Sequence, residues 1–215
     1  NNIALGTDSM DALTSGICNV AIGTNALGVS TTGCQNVAIG DASMSACTAT
    51  GINNVAMGTQ SMTNLTTGSC NIAIGHTALN GITTGAQNVA IGRGAMKDSV
   101  LSGDNNVAIG QGSAKSIAAG HKNTIVGMAA GCEVAAGANN TLVGASAGQN
   151  PEINGNHNNR IALGNEDVTA FQVTVALTVL SDARDKTDVA DLDLGLDYIN
   201  ALRPVYYRWD KRGWY

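Results

Sequence analysis

The sequence predicts an all-β fold, a parallel β-solenoid or β-roll of about nine coils, each roughly 17–18 residues long. A pattern of the form Gly-x-x-Asn-Val-Ala-Ile-Gly recurs from the start of the chain to Gly164. Its last residue, here called the closing glycine, returns at a nearly constant interval from Gly6 to Gly144, and the final interval, to Gly164, is longer. Regular self-similarity of this kind indicates a repeat architecture.

Each repeat contains a strand and a corner. Side chains alternate between two faces along Val20, Ala21 and Ile22, as they do along a strand. The closing glycine suits a corner, because glycine adopts backbone angles that other residues avoid. A second short segment follows it, as at residues 24–27. Two short strands and two corners then form one coil, and adjacent coils pair in parallel about 4.8 Å apart.

The coil predicted in this way has a thin core. We expect it to bury about three large aliphatic side chains, such as Val20, Ile22 and Leu27, with the strand alanine on the opposite face. The entropy lost in ordering a coil is of similar size, so a single solenoid is marginal. Packing several solenoids together would bury the alanine face as well. The sequence therefore predicts a homo-oligomer, most simply a cyclic trimer.

Two positions of the repeat exchange bulk. One repeat has the small Ala73 two residues before its closing glycine and the large Leu79 four residues after it. A later repeat has the large Ile125 at the first of these positions and Gly131 at the second. Close packing penalises both voids and overfilling, so an exchange that conserves volume predicts that the two positions share one compartment.

An asparagine stands four residues before the closing glycine in nearly every copy, and Arg160 takes that position in the last one. Stacked in register, the amides can hydrogen-bond from coil to coil. We expect a structural ladder, and the alternative is a polar binding face. The predicted ladder consists of Asn19, Asn36, Asn54, Asn71, Asn88, Asn106, Asn123 and Asn140.

Composition excludes several partners. The chain has 215 residues, a net charge of −5 and only 13% charged side chains, which argues against nucleic acid or an anionic membrane. No apolar run has the length of a membrane span.

The five cysteines are interpreted as reduced thiols that act as small apolar residues filling space. The three histidines occupy different positions of the repeat. We expect no metal and no cofactor. Because the first residues already lie inside a repeat, we expect a longer fibre.

The composition changes after Gly164, and we expect three regions: a solenoid over residues 1–164, a trimeric β neck over 165–180 and a short α/β segment over 181–215. Apolar and polar residues alternate from Phe171 to Val179, which predicts an amphipathic strand. Such a strand has nothing to cover its apolar face unless three copies meet. Downstream, leucines at helical spacing end near Pro204.

The motif Ser181-Asp182-x-Arg184-x-Lys186 is followed by the run Gly-Leu-Asp-Tyr-Ile-Asn-Ala-Leu-Arg-Pro-Val. Together they resemble the start of the endosialidase-type intramolecular chaperone family, found at the C-terminus of bacteriophage tail fibres and tailspikes. The resemblance implies a segment that aids trimeric folding and then cleaves itself, with Ser181 as nucleophile and Lys186 as general base. Separately, the Asn-Val-Ala-Ile-Gly repeats resemble head repeats of trimeric autotransporter adhesins, whose coils are usually shorter.

Self-cleavage is predicted to be weak or absent. Position 185 is Asp, where members of the resembled family often carry an apolar residue. A carboxylate beside Lys186 favours the ammonium form, and a protonated lysine cannot accept the Ser181 proton.

These observations favour a homotrimeric viral tail fibre, assembled in the host cytoplasm, carried on the virion and used for attachment to a glycan or protein receptor. A bacterial surface adhesin is the alternative, which predicts a C-terminal membrane anchor. A polysaccharide lyase would need clustered carboxylates or basic residues in a groove, and the nearest candidates in the rod, Asp8, Asp11 and Asp41, do not stack. An ice-binding face would need a flat threonine array, but threonine pairs recur in only some coils.

Overall fold

The computed structural model describes residues 1–45, 50–98, 102–149 and 156–174. The chain divides into two compact units, Asn1–Phe171 and Gln172–Tyr215. The first unit is the solenoid, and only residues 172–174 of the second are described. The motif at residues 181–186, the predicted C-terminal α/β segment and most of the predicted neck strand therefore lie outside the described residues.

The first unit is built from ten three-residue strands in one parallel sheet, ordered as they occur in the chain. Each strand pairs in register with its neighbours, so that Ala21 lies opposite Ala38. The predicted all-β solenoid of about nine coils is confirmed. The strands are β1 (Ile3–Leu5), β2 (Val20–Ile22), β3 (Val37–Ile39), β4 (Val55–Met57), β5 (Ile72–Ile74), β6 (Val89–Ile91), β7 (Val107–Ile109), β8 (Thr124–Val126), β9 (Thr141–Val143) and β10 (Ile161–Leu163).

The second segment of the coil is not the strand that the sequence suggested. Two of its residues are left-handed, as at Asn25 (φ 54°) and Leu27 (φ 51°). A left-handed residue turns the peptide planes out of the strand arrangement. The segment still bonds to both neighbouring coils, because Asn25 N–H donates to Thr7 O at 2.8 Å and Leu27 N–H donates to Ser43 O at 3.0 Å. Each described coil thus has one regular strand and a wall of hydrogen-bonded turns.

The faces of the strand are the reverse of the prediction. Ala21 is fully buried, whereas Val20 and Ile22 are half-buried and point outward. Leu27 is fully buried, as expected. The interior is filled by that position and by a further aliphatic residue seven positions after the closing glycine, such as Leu65 or Ile82. Where both turn-wall positions are bulky, as at Leu79 and Ile82, the strand has room for only a methyl group.

The predicted compartment shared by the two exchanging positions is confirmed. A Cβ added to Gly131 would lie 2.9 Å from Ile125 Cδ1 and 3.0 Å from Leu142 Cδ1. Ala73 and Leu79 are likewise fully buried in the same core cluster. A glycine at one position therefore makes room for an isoleucine at the other.

The closing glycine forms the corner after each strand. Gly75 has a φ of +128°, a conformation that L side chains rarely adopt. A Cβ on Gly75 would also lie 2.7 Å from the carbonyl oxygen of Gly92 in the next coil. Both the backbone angle and the stacking distance exclude a side chain here.

Candidate functional site

The outward side of the sheet forms an apolar stripe, here called the outer face. It consists of the first and third residues of all ten strands, and eighteen of these twenty side chains are aliphatic, Thr124 and Thr141 being the others. None of them is charged. Even at mid-sheet the exposure is large, with Ile74 and Ile109 each 38% exposed. Nine strand spacings of about 4.8 Å give the stripe a length of roughly 43 Å. Continuous exposed apolar surfaces of this size are typical of contacts with other molecules.

The asparagine row lies inside the solenoid, where the members from Asn19 to Asn140 are at most 1% exposed. Asn88 illustrates the bonding. Its Oδ1 accepts from the backbone N–H of Asn106 at 2.9 Å and from Asn106 Nδ2 at 3.0 Å. Its Nδ2 donates to Gly103 O at 2.9 Å and to Asn71 Oδ1 at 3.2 Å. The amide thus bridges three successive coils.

The same backbone bond recurs at every step of the row, from Asn19 N–H donating to Asn2 Oδ1 through to Arg160 N–H donating to Asn140 Oδ1. The residue before each asparagine is left-handed, as at Gln87 (φ 59°). These buried amides form hydrogen bonds between coils, so they are not accessible to a ligand.

A polar groove lies on the turn wall and is the second accessible feature. It has a volume of about 290 Å³ and crosses three coils. We call it the cationic groove, because four of its side chains carry or can carry positive charge. It is lined by His76, Thr77, Arg93, Gly94, Lys97, Gln111, Gly112 and Lys115.

One carboxylate bridges two cations at the edge of this groove. Lys115 Nζ lies 2.9 Å from Asp98 Oδ2, and Lys97 Nζ lies 3.7 Å from Asp98 Oδ1. The hydrogen bond from Lys115 lowers the pKa of Asp98, and the same bond raises the pKa of Lys115. Asp98 and Lys115 are therefore both charged at neutral pH. Because they are exposed, the pairs position side chains and add little stability.

The other predicted residues are dispersed. His76 lines the cationic groove, whereas His121 lines a separate surface groove with Lys122. Cys18 and Cys70 are exposed free thiols. Across the described ranges, no three His, Cys, Asp or Glu side chains are placed to hold a metal ion. Within the same ranges, no helix has the length and apolar character needed to cross a membrane.

The C-terminal segment is the part of the chain that matches a known family. Residues 181–213 match the family described as chaperone of endosialidase. The match covers the motif from Ser181 to Lys186 and agrees with the resemblance found in the sequence. No curated protein and no solved structure matches the chain. The likeness of the repeats to adhesin head repeats therefore has no support beyond the repeats themselves.

Sequence reasoning missed both surface features. The outer face was assigned to the interior, because aliphatic residues in a strand usually face a core. The cationic groove had a signal that went unused. Among residues 1–150 every lysine and arginine falls between Arg93 and Lys122. Net charge averages over the chain and hides this concentration.

Proposed function

We propose that this chain is shaft and chaperone sequence of a homotrimeric bacteriophage tail fibre or tailspike. The observation that carries the proposal is the match of residues 181–213 to the chaperone of endosialidase. A chaperone segment of this type, by the resemblance, serves the folding of a trimeric β fibre. The solenoid on its N-terminal side is a suitable client, because its many coils must stack in one register.

The outer face is the surface by which three solenoids would pack. It is apolar, uncharged and formed by regular strands, whereas the turn wall is polar and carries the charged groove. Burying aliphatic side chains contributes about 25 cal/mol per Å² of apolar surface. Three copies around one axis would bury all three faces and leave the turn walls outside. The alanine face needs no partner, because it already lies inside each coil.

The region after β10 supports the same association. Phe171 is 60% exposed and Val173 is 48% exposed, although both are apolar. In a trimer these side chains would meet their copies. We therefore propose residues 1–164 as the shaft, 165–180 as a trimeric neck and 181–215 as the start of the chaperone segment.

In the chaperone segment we propose Ser181 as the nucleophile of self-cleavage and Lys186 as its general base, with Asp182 and Arg184 as further motif residues. The lysine must be neutral to accept the serine proton. Asp185 disfavours that form, so the cleavage is slow. Cleavage of this kind is a single turnover within the chain.

Location on the virion and attachment to a host-surface receptor complete the proposal. A bacterial surface adhesin is the second candidate, which the form of the repeats favours. The chaperone match favours the viral fibre, because the resembled family belongs to fibres and tailspikes of bacteriophages.

A charge-insertion pair tests the trimer. Ile74→Lys with Ile109→Lys places two cations on the outer face, where each isoleucine is 38% exposed. Ile17→Lys with Ile52→Lys is the matched control, because those isoleucines are 56% and 42% exposed but lie off the outer face. Light scattering should give about 65 kDa, three chains of 21.7 kDa, for the unmodified chain and the control. The outer-face pair should dissociate while keeping its β circular dichroism. An unmodified chain that is monomeric, or an outer-face pair that stays trimeric, contradicts the packing.

Attachment is tested by adsorption of the labelled, purified fibre to a panel of bacterial strains. Binding to some strains and not to others is the expected result. Failure to adsorb to any strain in the panel would count against the attachment function.

A further inference from the structure

We propose that the cationic groove is a binding site for an acidic saccharide, a sugar unit that carries a carboxylate or a phosphate. The inference rests on the proposed attachment function, since it names the receptor chemistry and the coils that contact it. The site combines an open floor, a wall of cations and a size that fits one or two sugar units.

The floor of the groove is open because two successive coils have glycine where others have a side chain. Gly94 and Gly112 stand two residues after their closing glycines, a position that holds Thr77 in the preceding coil and Ala129 in the following one. A Cβ on Gly112 would meet no atom within 4 Å, and one on Gly94 would meet only Lys97 Cδ, at 3.7 Å. Gly112 is partly exposed between the charged side chains, whereas Gly94 is buried beside the Lys97 side chain.

The wall of the groove is positive. Arg93, Lys97 and Lys115 line the groove, and one carboxylate, Asp98, pairs with the two lysines, which leaves a formal net charge of +2 for these four side chains. The Asp98 carboxylate positions the ammonium groups of Lys97 and Lys115 but cancels only one of the three positive charges. Gln111 and the largely buried Thr77 add neutral hydrogen-bonding groups to the lining. Convergent cations beside neutral polar groups suit an anion attached to a hydroxyl-rich molecule.

The rest of the shaft disfavours denser polyanions. Residues 1–150 contain no aromatic side chain, so they offer no stacking platform of the kind that single-stranded nucleic acid uses. The whole chain carries a net charge of −5. Outside this groove, residues 1–150 contain only one further lysine or arginine, Lys122, so a polymer with a charge on every unit would find no continuous row of cations. The groove volume of about 290 Å³ is at the small end of ligand sites.

A matched pair at Gly112 tests the site by charge alone. Gly112 has a φ of +64° and an open Cβ direction, and both Asn and Asp tolerate left-handed angles. Gly112→Asn and Gly112→Asp therefore fill the floor equally and differ in one negative charge. The probes are oligogalacturonate, a phosphorylated dextran oligosaccharide and neutral dextran, each titrated against the full-length fibre.

We expect the unmodified fibre to bind at least one acidic probe, and neutral dextran not to bind. Binding should weaken as salt rises. Gly112→Asp should lower the affinity about three- to tenfold relative to Gly112→Asn. A unit negative charge a few ångströms from the bound anion weakens its binding constant by about that factor at a solvent-exposed site. Asp98→Asn, which removes the competing carboxylate, should raise the affinity. The two acidic probes distinguish carboxylate from phosphate.

Binding of neither acidic probe overturns the proposal, and so does equal affinity of the two Gly112 variants. Strain adsorption separates this inference from the attachment function on which it rests. If the unmodified fibre and Gly112→Asp adsorb equally well to the same strains, the attachment function stands and the groove is not the receptor site. If no strain adsorbs the unmodified fibre although the acidic probe binds, the groove stands and the attachment function falls.

Discussion

Replacing Asn88 tests the idea that buried amides hold neighbouring coils together. This residue lies at mid-solenoid and is fully buried. Asn88→Ala removes the acceptor of the Asn106 backbone N–H, at 2.9 Å, and the donor to Gly103 O, at 2.9 Å. Asn106 Nδ2 keeps its bond to Gly120 O, at 2.8 Å. Two buried backbone groups therefore lose the bonds that Asn88 provides.

The expected loss follows from those two groups. An unsatisfied buried donor or acceptor costs about 1–3 kcal/mol, so Asn88→Ala should lower the free energy of unfolding by about 2–6 kcal/mol. The control is Asn64→Ala, because Asn64 is exposed and its Nδ2 makes one surface bond, to Asn80 O at 2.9 Å. A change of less than about 0.5 kcal/mol is expected there.

Asn88→Asp keeps the shape and removes the donors. The introduced carboxyl faces Gly103 O and Asn71 Oδ1, both acceptors, in a buried site. Burial and these two facing acceptors raise its folded-state pKa above the unfolded value of about 3.9, and the Asn106 donors at the other carboxyl oxygen reduce that rise. The folded state then binds the proton more tightly than the unfolded state, so the destabilisation is full at neutral pH and shrinks as the pH falls through the folded pKa.

The assay is guanidinium unfolding followed by circular dichroism at one protein concentration, since association shifts apparent stability. The Asp variant is measured from pH 7 downward beside the unmodified chain. An Asn88→Ala variant within about 0.5 kcal/mol of the unmodified chain would refute the ladder as a stabilising element. A gap between the Asp variant and the unmodified chain that widens on acidification would refute the reasoning about its donors.

Three further outcomes are expected. Gly68→Ala should lower the free energy of unfolding by about 2–4 kcal/mol, because its Cβ would lie 2.3 Å from the carbonyl oxygen of Gly85 in the next coil. An unfolding midpoint equal to that of the unmodified chain would contradict this close stacking. Ile125→Ala should cost about 2–5 kcal/mol, and adding Gly131→Leu should restore part of it, as a double-mutant cycle measures; additive losses would deny the shared compartment. Full-length chain should stay intact for days on a denaturing gel while Asp185→Leu cleaves faster; prompt cleavage of the unmodified chain, abolished by Ser181→Ala, would show that Asp185 does not silence the site.

The sequence alone determined the class of fold and the register of its coils. The spacing of the closing glycines sets the coil length. Because Gly75 and Gly92 must both be glycine, these equivalent positions lie against each other in adjacent coils. The bulk exchange between Ile125 and Gly131 was also readable, because volume is conserved only between positions in contact. The chaperone motif was readable because it is local sequence, and the family match is to that sequence.

Only the tertiary structure decided which way the strands face. Alternation in Val20, Ala21 and Ile22 shows that two faces differ, but it does not show which one is inside. That depends on how much space the opposite wall leaves, and the left-handed backbone at Leu27 sends its side chain into that space. Alanine then fits inside, and the aliphatic pair is left on the surface.

The groove was also a tertiary result. Arg93 and Lys97 belong to one repeat and Lys115 to the next, and they converge because successive coils stack their turn walls. Sequence shows that these cations are concentrated in a few repeats. It does not show that Gly112 leaves the floor between them open, because that follows from the direction in which this left-handed residue would project a side chain.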